Sequence, residues 1–139
     1  IGNGGQRGEL EVLAKECSVD DRVMFMGQQA DACDYIRACD LYVSASSVEG
    51  MPFNLIEALG CGTTVLVSDI KGHVDLIDNS VDGVIYGYNN VEDFITKVYK
   101  IYSKTITIPM ENKLAKYEKY TKSRVFPDTL SVLVRSISD

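Results

Sequence analysis

Apolar residues recur along this chain with two periods, and the two alternate. Between Gln6 and Cys17, Leu10, Leu13, Ala14 and Cys17 fall at i, i+3, i+4 and i+7, which predicts a helix with one buried face. After the turn signal Asp20-Asp21, the run Val23-Met24-Phe25-Met26 is closed by Gly27 and predicts a buried strand. Asp31 to Cys39 reads as a second, shorter helix, and Leu41 to Ala45 as the next strand. Pro52 to Leu59 is helical in period, with Pro52 near the first turn, where a missing N–H costs nothing. Gly60 and Gly62 are placed to end it. Thr64 to Val67 is rich in β-branched residues and stops at Ser68-Asp69, as a strand does. Val74 to Ile77 suits one helical turn, and Gly83 to Gly87 a last short strand. Asn90 is placed to cap a helix from Val91 to Ser103, with Phe94, Ile95, Val98 and Tyr102 on its buried side. Its acids, Glu92 and Asp93, sit at the start, and Lys97, Lys100 and Lys104 lie toward the end, as the helix dipole prefers. Beyond Pro109, Met110 to Tyr120 and Pro127 to Ile137 predict two further helices, the last striped by Leu130, Leu133, Val134 and Ile137.

Strands alternating with helices predict a parallel sheet covered on both faces, and the right-handed crossover rule leaves few topologies. The expectation is a Rossmann-like α/β domain over residues 1–139. A chain of 139 residues suffices for one domain, burying roughly 68% of its unfolded surface. It opens on Ile rather than Met and runs straight into Gly2-Asn3-Gly4-Gly5, which reads as a strand end and turn, so the domain is expected to be incomplete at its start.

The net charge of −6 argues against nucleic acid as a partner. The apolar runs are too short for a membrane-spanning helix, and no signal-peptide pattern opens the chain. The charge is uneven, with Lys97, Lys100, Lys104, Lys113, Lys116, Lys119, Lys122 and Arg124 crowding the C-terminal part. Such a cluster is either a solvated helical face or a peripheral contact with an acidic membrane surface or anionic acceptor. Cys17, Cys33, Cys39 and Cys61 have no C-x-x-C spacing and stand beside a single histidine, so no metal site is expected. Buried thiols in a reducing, cytoplasmic compartment fit that pattern.

The most specific chemistry lies in E-G-M-P-F-N-L-I-E-A. Glu49 falls in a Gly/Pro turn and Glu57, eight residues on, inside the helical pattern. Placed after the strand Leu41–Ala45, they bring a carboxylate and a helix N-terminus to the carboxyl end of a strand, where open α/β sheets bind ligands. Ionised carboxylates accept hydrogen bonds from sugar and ribose hydroxyls. The amides of Gly50, Met51, Phe53 and Asn54 begin a helix and can meet phosphate. Two helical turns set the acids ~12 Å apart at most. The implied ligand is a polyol, a phosphate and a second polyol in series, as in a nucleotide-diphosphate sugar. The bland alternative is that both acids are surface residues.

The arrangement resembles the donor-binding half of glycosyltransferase family 4, the group 1 transferases of the GT-B fold. The likeness runs from about Gly2 to about Lys100. G-N-G-G resembles the family's G-x-G turn; D-D-R-V-M-F-M-G, from Asp20 to Gly27, its D-R-V-x-F-x-G; and A-C-D-L-Y-V-S-A-S, from Ala38 to Ser46, its A-D-L-x-V-x-P-S strand. E-G-M-P-F-N-L-I-E-A is similar to the E-x7-E signature, and S-D-I-K-G-H-V-D-L-I and D-G-V-I-Y follow where the family has similar segments. The resemblance implies a retaining transferase that takes a sugar from a nucleotide-diphosphate sugar, its co-substrate, and needs no metal or other cofactor. By it, Glu57 holds the donor ribose and Glu49 the donor sugar. Gly50, Met51, Pro52 and Phe53 line the sugar and diphosphate, Gln29 and Asp31 face the base, and Gly2 and Gly4 shape the nearby turn. The acceptor, a glycan or lipid-linked glycan, belongs to a domain outside this chain, as does the family's basic pair for the diphosphate. The chain alone is therefore expected to transfer nothing.

Departures from the family pattern are Ala45 and Thr64 in place of prolines, Lys71 in place of glycine and Asp75 in place of glutamate. Lys71 is either a phosphate partner or a solvated lysine. His73 is either a base near the cleft or a surface or capping residue, and no catalytic base is assigned. Two rival readings are a nucleotide-sugar epimerase of the same architecture and a non-catalytic nucleotide-sugar-binding domain.

Overall fold

The computed structural model describes residues 4–121. They fall into two compact units that divide after Tyr35. The predicted helix Pro127–Ile137 and two of the basic residues, Lys122 and Arg124, lie outside the described residues.

In the N-terminal unit, α1 spans Arg7–Glu16 and a 3₁₀ turn spans Asp20–Arg22. Arg7 joins this helix to the segment that follows: its Nε donates to Glu11 at 2.8 Å and its Nη2 donates to the Phe25 carbonyl at 3.2 Å. Two expectations fail here. Val23–Met26 forms no strand, because strand pairing needs a neighbour and none is found among the described residues. Of the predicted face of α1 only Ala14 is buried, while Leu10 and Leu13 remain about half exposed. A unit of this size cannot cover such a stripe by itself.

The second unit begins within α2 (Ala32–Ala38) and continues through β1 (Leu41–Ser44), α3 (Phe53–Gly60), β2 (Thr64–Ser68), α4 (Lys71–Val74), β3 (Val84–Tyr86), α5 (Val91–Tyr102) and α6 (Met110–Glu118). The strands form a parallel sheet in the order β1-β2-β3, with Ser44 opposite Val67 and Ser68 opposite Tyr86. Central β2 buries Val65, Leu66 and Val67 completely, as a strand covered on both faces must. Val65 and Val67 point into a core with Leu55, Ile56, Ala58 and Leu59 of α3. Leu66 points the other way, to Val84, Tyr86 and Ile108, with Phe94, Val98 and Ile101 of α5 packed against them. The chain is thus a Rossmann-like α/β fold, with a parallel sheet between helices.

Helix α5 starts as its sequence requires, with the Asn90 side chain accepting from the Asp93 amide at 3.0 Å. Its buried face differs from the expectation: Ile101 takes the place of Tyr102, and Ile95 lies outside with Tyr99. Phe94, Val98 and Ile101 form an i, i+4, i+7 stripe, and Phe94 meets Tyr86 in an edge-on ring contact at 5.1 Å. Helix α4 starts at Lys71 rather than Val74, and Leu76 and Ile77 pass beneath the sheet just beyond it.

Helix α6 lies on α3 where Gly60 offers no side chain. A Cβ there would stand 2.7 Å from the Tyr117 ring. Gly60 is therefore the last helical residue, not the stop, and Gly62 makes the turn with φ of 75°. The basic cluster is not uniformly solvated: Lys113 and Lys116 are buried. Lys116 reaches Asp78 at 2.8 Å and the buried Asp82 at 3.0 Å, tying α6 to the loop before β3. The cysteines also depart from expectation. Cys17 and Cys39 are exposed and Cys33 and Cys61 half-buried, because Cys17 and Cys39 follow directly on helix ends. No helix among the described residues is long and apolar enough to cross a membrane.

Candidate functional site

Parallel strands place their carboxyl ends on one edge, so the segments after β1, β2 and β3 emerge together. The segment after β1 carries Glu49, which is half-buried. Ser46 Oγ donates to Glu49 Oε1 at 2.8 Å and accepts from Ser44 Oγ at 3.3 Å. From the other side the backbone of Glu49 rests on α4 at Gly72.

Gly50 and Met51 are exposed and Pro52 is buried, turning the chain into α3. Pro52 is the residue before the helix and supplies no side-chain cap. Its carbonyl accepts from the amides of Leu55 and Ile56 at 3.0 and 3.3 Å. The amides of Phe53 and Asn54, in the first turn, then have no intrahelical acceptor behind them. Glu57 lies one turn beyond Phe53. Both project from the exposed side of α3, opposite buried Leu55, Ile56, Ala58 and Leu59.

One residue ties the two acids together and was not singled out from the sequence. Tyr42 stands on the α3 side of β1, half-buried against that core. Its phenol is pushed up to about 12, first by burial and then by the charges of Glu49 and Glu57, against a hydrogen bond with Ser44. Both carboxylates therefore act on the same hydroxyl. Strand alternation is the signal that could have found it, since Tyr42 and Ser44 share a face immediately before the acidic loop.

The other predicted residues are distributed as follows. Gln29 belongs to the N-terminal unit, where Nε2 donates to the Met26 carbonyl at 2.6 Å and Oε1 accepts from the Tyr35 hydroxyl at 3.1 Å. Asp31 precedes α2, its carbonyl accepting from the Asp34 amide at 3.2 Å. The Gly4 carbonyl accepts from the Arg7 amide at the start of α1, and Gly2 lies outside the described residues. Lys71 is exposed and paired with Asp75 at 2.6 Å, the solvated alternative of the two. His73 is neither a surface residue nor a cap: it is fully buried. An apolar hollow of about 250 Å³ opens beside Val43, Ala45, Tyr86 and Phe94. None of the predicted donor-binding residues lines it.

A family model described as "Glycosyl transferases group 1" matches residues 1–124. The chain is 27% identical over 143 residues to the lipopolysaccharide 1,6-galactosyltransferase of Escherichia coli K12, a match covering 99% of this chain and 40% of that protein. It is 28% identical over 102 residues to the E. coli UDP-Gal:alpha-D-GlcNAc-diphosphoundecaprenol alpha-1,3-galactosyltransferase, covering 73% of this chain and 26% of that one. Among solved structures it superposes on the apo form of the lipopolysaccharide outer core galactosyltransferase WaaB with a TM-score of 0.86 at 20% identity, over 98% of this chain and 40% of the other. It matches Anabaena HepE in complex with UDP with a TM-score of 0.85 at 20% identity, over 97% and 39%. The chain thus spans 40% or less of the length of these relatives. The superpositions establish the fold as that of GT-B glycosyltransferases, and the match over residues 1–124 places the chain in the group 1 glycosyltransferase family.

Proposed function

We propose that this chain is the donor-binding part of a retaining glycosyltransferase, which moves a sugar from a nucleotide-diphosphate sugar to a glycan or lipid-linked acceptor. The observation that carries the reading is the succession, within one unit, of Glu49, the uncapped start of α3 and Glu57, with the charges of both acids raising the Tyr42 phenol. Glu49 accepts hydroxyls of the transferred sugar, the amides of Gly50, Met51 and Phe53 meet the sugar and diphosphate, and Glu57 accepts the ribose hydroxyls. Names among the relatives support a nucleotide-sugar donor and a lipid-linked acceptor. One contains UDP-Gal and a diphosphoundecaprenol, and HepE is described in complex with UDP-glucose.

Two carboxylates beside a diphosphate need compensating cations. Lys71 is paired with Asp75, so the proposal assigns that task to basic residues in the rest of the protein, together with acceptor binding. It assigns no resident metal or cofactor. With acceptor binding assigned to the rest of the protein, the chain alone is expected to bind donor weakly and to transfer nothing. The protein is placed in the cytoplasm, where nucleotide sugars are made. A peripheral membrane contact rests on Lys97, Lys100, Lys104 and Lys119, since Lys113 and Lys116 turn inward.

The test is a donor screen on the complete protein, followed by titration of UDP and GDP against wild type and Glu57→Ala. Loss of the ribose contact is expected to weaken the preferred nucleotide by about 1.5–3 kcal/mol. Equal affinities would remove Glu57 from the site and favour a non-catalytic binding domain. Epimerised donor without transfer would identify an epimerase.

A further inference from the structure

Behind Glu49 runs a chain of polar side chains that donor binding itself does not use. Ser44, Ser68 and His73 are buried at the carboxyl ends of two parallel strands and in α4, where apolar residues would pack at no polar cost. Their hydrogen bonds have a fixed sense. His73 Nδ1 lies 2.9 Å from the Ser68 carbonyl oxygen and 3.2 Å from Ser68 Oγ. A carbonyl only accepts, so Nδ1 carries the hydrogen. Ser68 Oγ is then free to give its own hydrogen to the Ser46 carbonyl, at 2.7 Å. A second branch comes along β1. The Tyr42 hydroxyl bonds Ser44, Ser44 Oγ donates to Ser46 Oγ, and Ser46 Oγ donates to Glu49 Oε1. Both branches converge on Ser46, one on its backbone and one on its side chain.

We propose that Ser46 is a positioning residue for Glu49 in sugar recognition, and that Ser68 and His73 hold Ser46 in place from behind. The inference rests on the reading of Glu49 as the sugar ligand. A glutamate on a surface loop samples several rotamers. Fixing Oε1 fixes the carboxylate plane, and with it the direction in which the second oxygen can accept a sugar hydroxyl. Preorganisation of this kind lowers the ordering cost at the moment of binding. Ser46 does not touch the substrate; it acts through Glu49.

The test uses the complete protein and a panel of UDP-galactose, UDP-glucose, UDP-N-acetylglucosamine and GDP-mannose, with UDP and GDP as sugar-free controls. For the tightest-binding nucleotide sugar, Ser46→Ala is expected to lower affinity roughly ten- to a hundredfold. Affinity for the matching bare nucleoside diphosphate is expected to stay within about twofold. Ser46→Thr, which keeps the hydroxyl, restores sugar-nucleotide binding. In a Glu49→Ala background Ser46→Ala adds nothing further. His73→Asn, which keeps an N–H near the position of Nδ1, binds like wild type, whereas His73→Leu behaves like Ser46→Ala. Equal weakening of nucleotide sugar and bare diphosphate by Ser46→Ala would reduce Ser46 to a structural role and overturn the proposal. So would an unchanged Ser46→Ala protein when Glu49→Ala binds sugar nucleotide poorly. If Glu49→Ala itself changes nothing, the parent reading of Glu49 fails, and the proposal falls with it.

Discussion

Gly72 lies flat against the peptide of Glu49. A Cβ on residue 72 would stand 2.9 Å from the Glu49 carbonyl carbon and closer still to its oxygen. The first turn of α4 is thus the seat of the acidic loop, and only a glycine leaves room for it. The glycine of S-D-I-K-G-H is explained by this contact rather than by backbone strain.

Gly72→Ala should therefore displace Glu49 while leaving the core intact. The sheet and α3 do not depend on this contact, so the stability loss should stay within the overpacking range of about 1–3 kcal/mol. Transfer by the complete protein is expected to fall at least about tenfold, the effect of a sub-ångström misplacement near reacting groups. Steady-state kinetics beside thermal melts would check this, and full activity would show that the loop adapts.

Lys116 and Asp82 form an ion pair in which both side chains are less than one-tenth exposed. Removing the cation strands a buried carboxylate, which also accepts from the Asp78 amide at 2.8 Å. Lys116→Met should destabilise the protein by about 3–5 kcal/mol in urea unfolding. Asp78→Asn is expected to cost under about 1 kcal/mol, because the Asp78 side chain is 67% exposed and solvent screens its pair. Similar losses from the two variants would contradict the assignment of the tie to Asp82.

The same cluster sets a pH window. The hydrogen bond from Lys116 holds the Asp78 carboxyl below its ordinary 3.8. Burial pushes the Lys116 ammonium down, but its bonds to Asp78 and Asp82 more than reverse this and leave it above 10.5. A depressed carboxyl stabilises above its unfolded value and loses that contribution as pH falls through its folded value. A raised ammonium stabilises below its unfolded value and loses that contribution as pH rises through its folded value. The stability gap between wild type and Lys116→Met should be flat through the neutral range and narrow at both extremes. Lys113 has the opposite sign. Burial lowers its pKa, and no ion pair to it is found among the described residues. Its charge opposes folding until pH approaches 10.5, so Lys113→Met should be neutral or stabilising at pH 7. Denaturant melts across pH would test both signs.

Tyr42 offers a direct reading of the acidic pair. Burial contributes most to its raised pKa of about 12 and Glu49 comes next. Glu49→Gln should lower the Tyr42 midpoint, yet leave it above the ordinary 10.0 because burial remains. Ring carbon-13 shifts during an alkaline titration, assigned with Tyr42→Phe, would follow it. An unmoved midpoint would mean that the Glu49 charge does not reach Tyr42.

Local signals were readable where the determinants are local. The alternation of β-branched runs with helical periods placed β1, β2 and β3, and Asn90 capped α5 as its position required. Glu49 in a turn and Glu57 on a helix came from the residues between them. What was not readable depends on distant partners. Val23–Met26 has strand composition, but a strand exists only by pairing. Lys116 turns inward because the buried Asp82, far from it in sequence, meets it. Ser68 read as the stop of a strand and His73 as a base near the cleft or a surface or capping residue, and their burial emerges only when β1 and β2 lie side by side. Tyr42 and Ser44 were within reach of strand alternation, yet a four-residue strand gives too short a pattern to weigh one face against the other.

Because the three strands of the described residues run in the same direction, the loops at their carboxyl ends and the packing surfaces are drawn from separate stretches of chain. Residues 45–51, 69–70 and 87–90 can diverge without disturbing the valines and leucines that hold β2 between its neighbours. That separation lets the loops change sequence while the scaffold is inherited intact. It also marks those three short stretches as the economical place to randomise when a new specificity is sought.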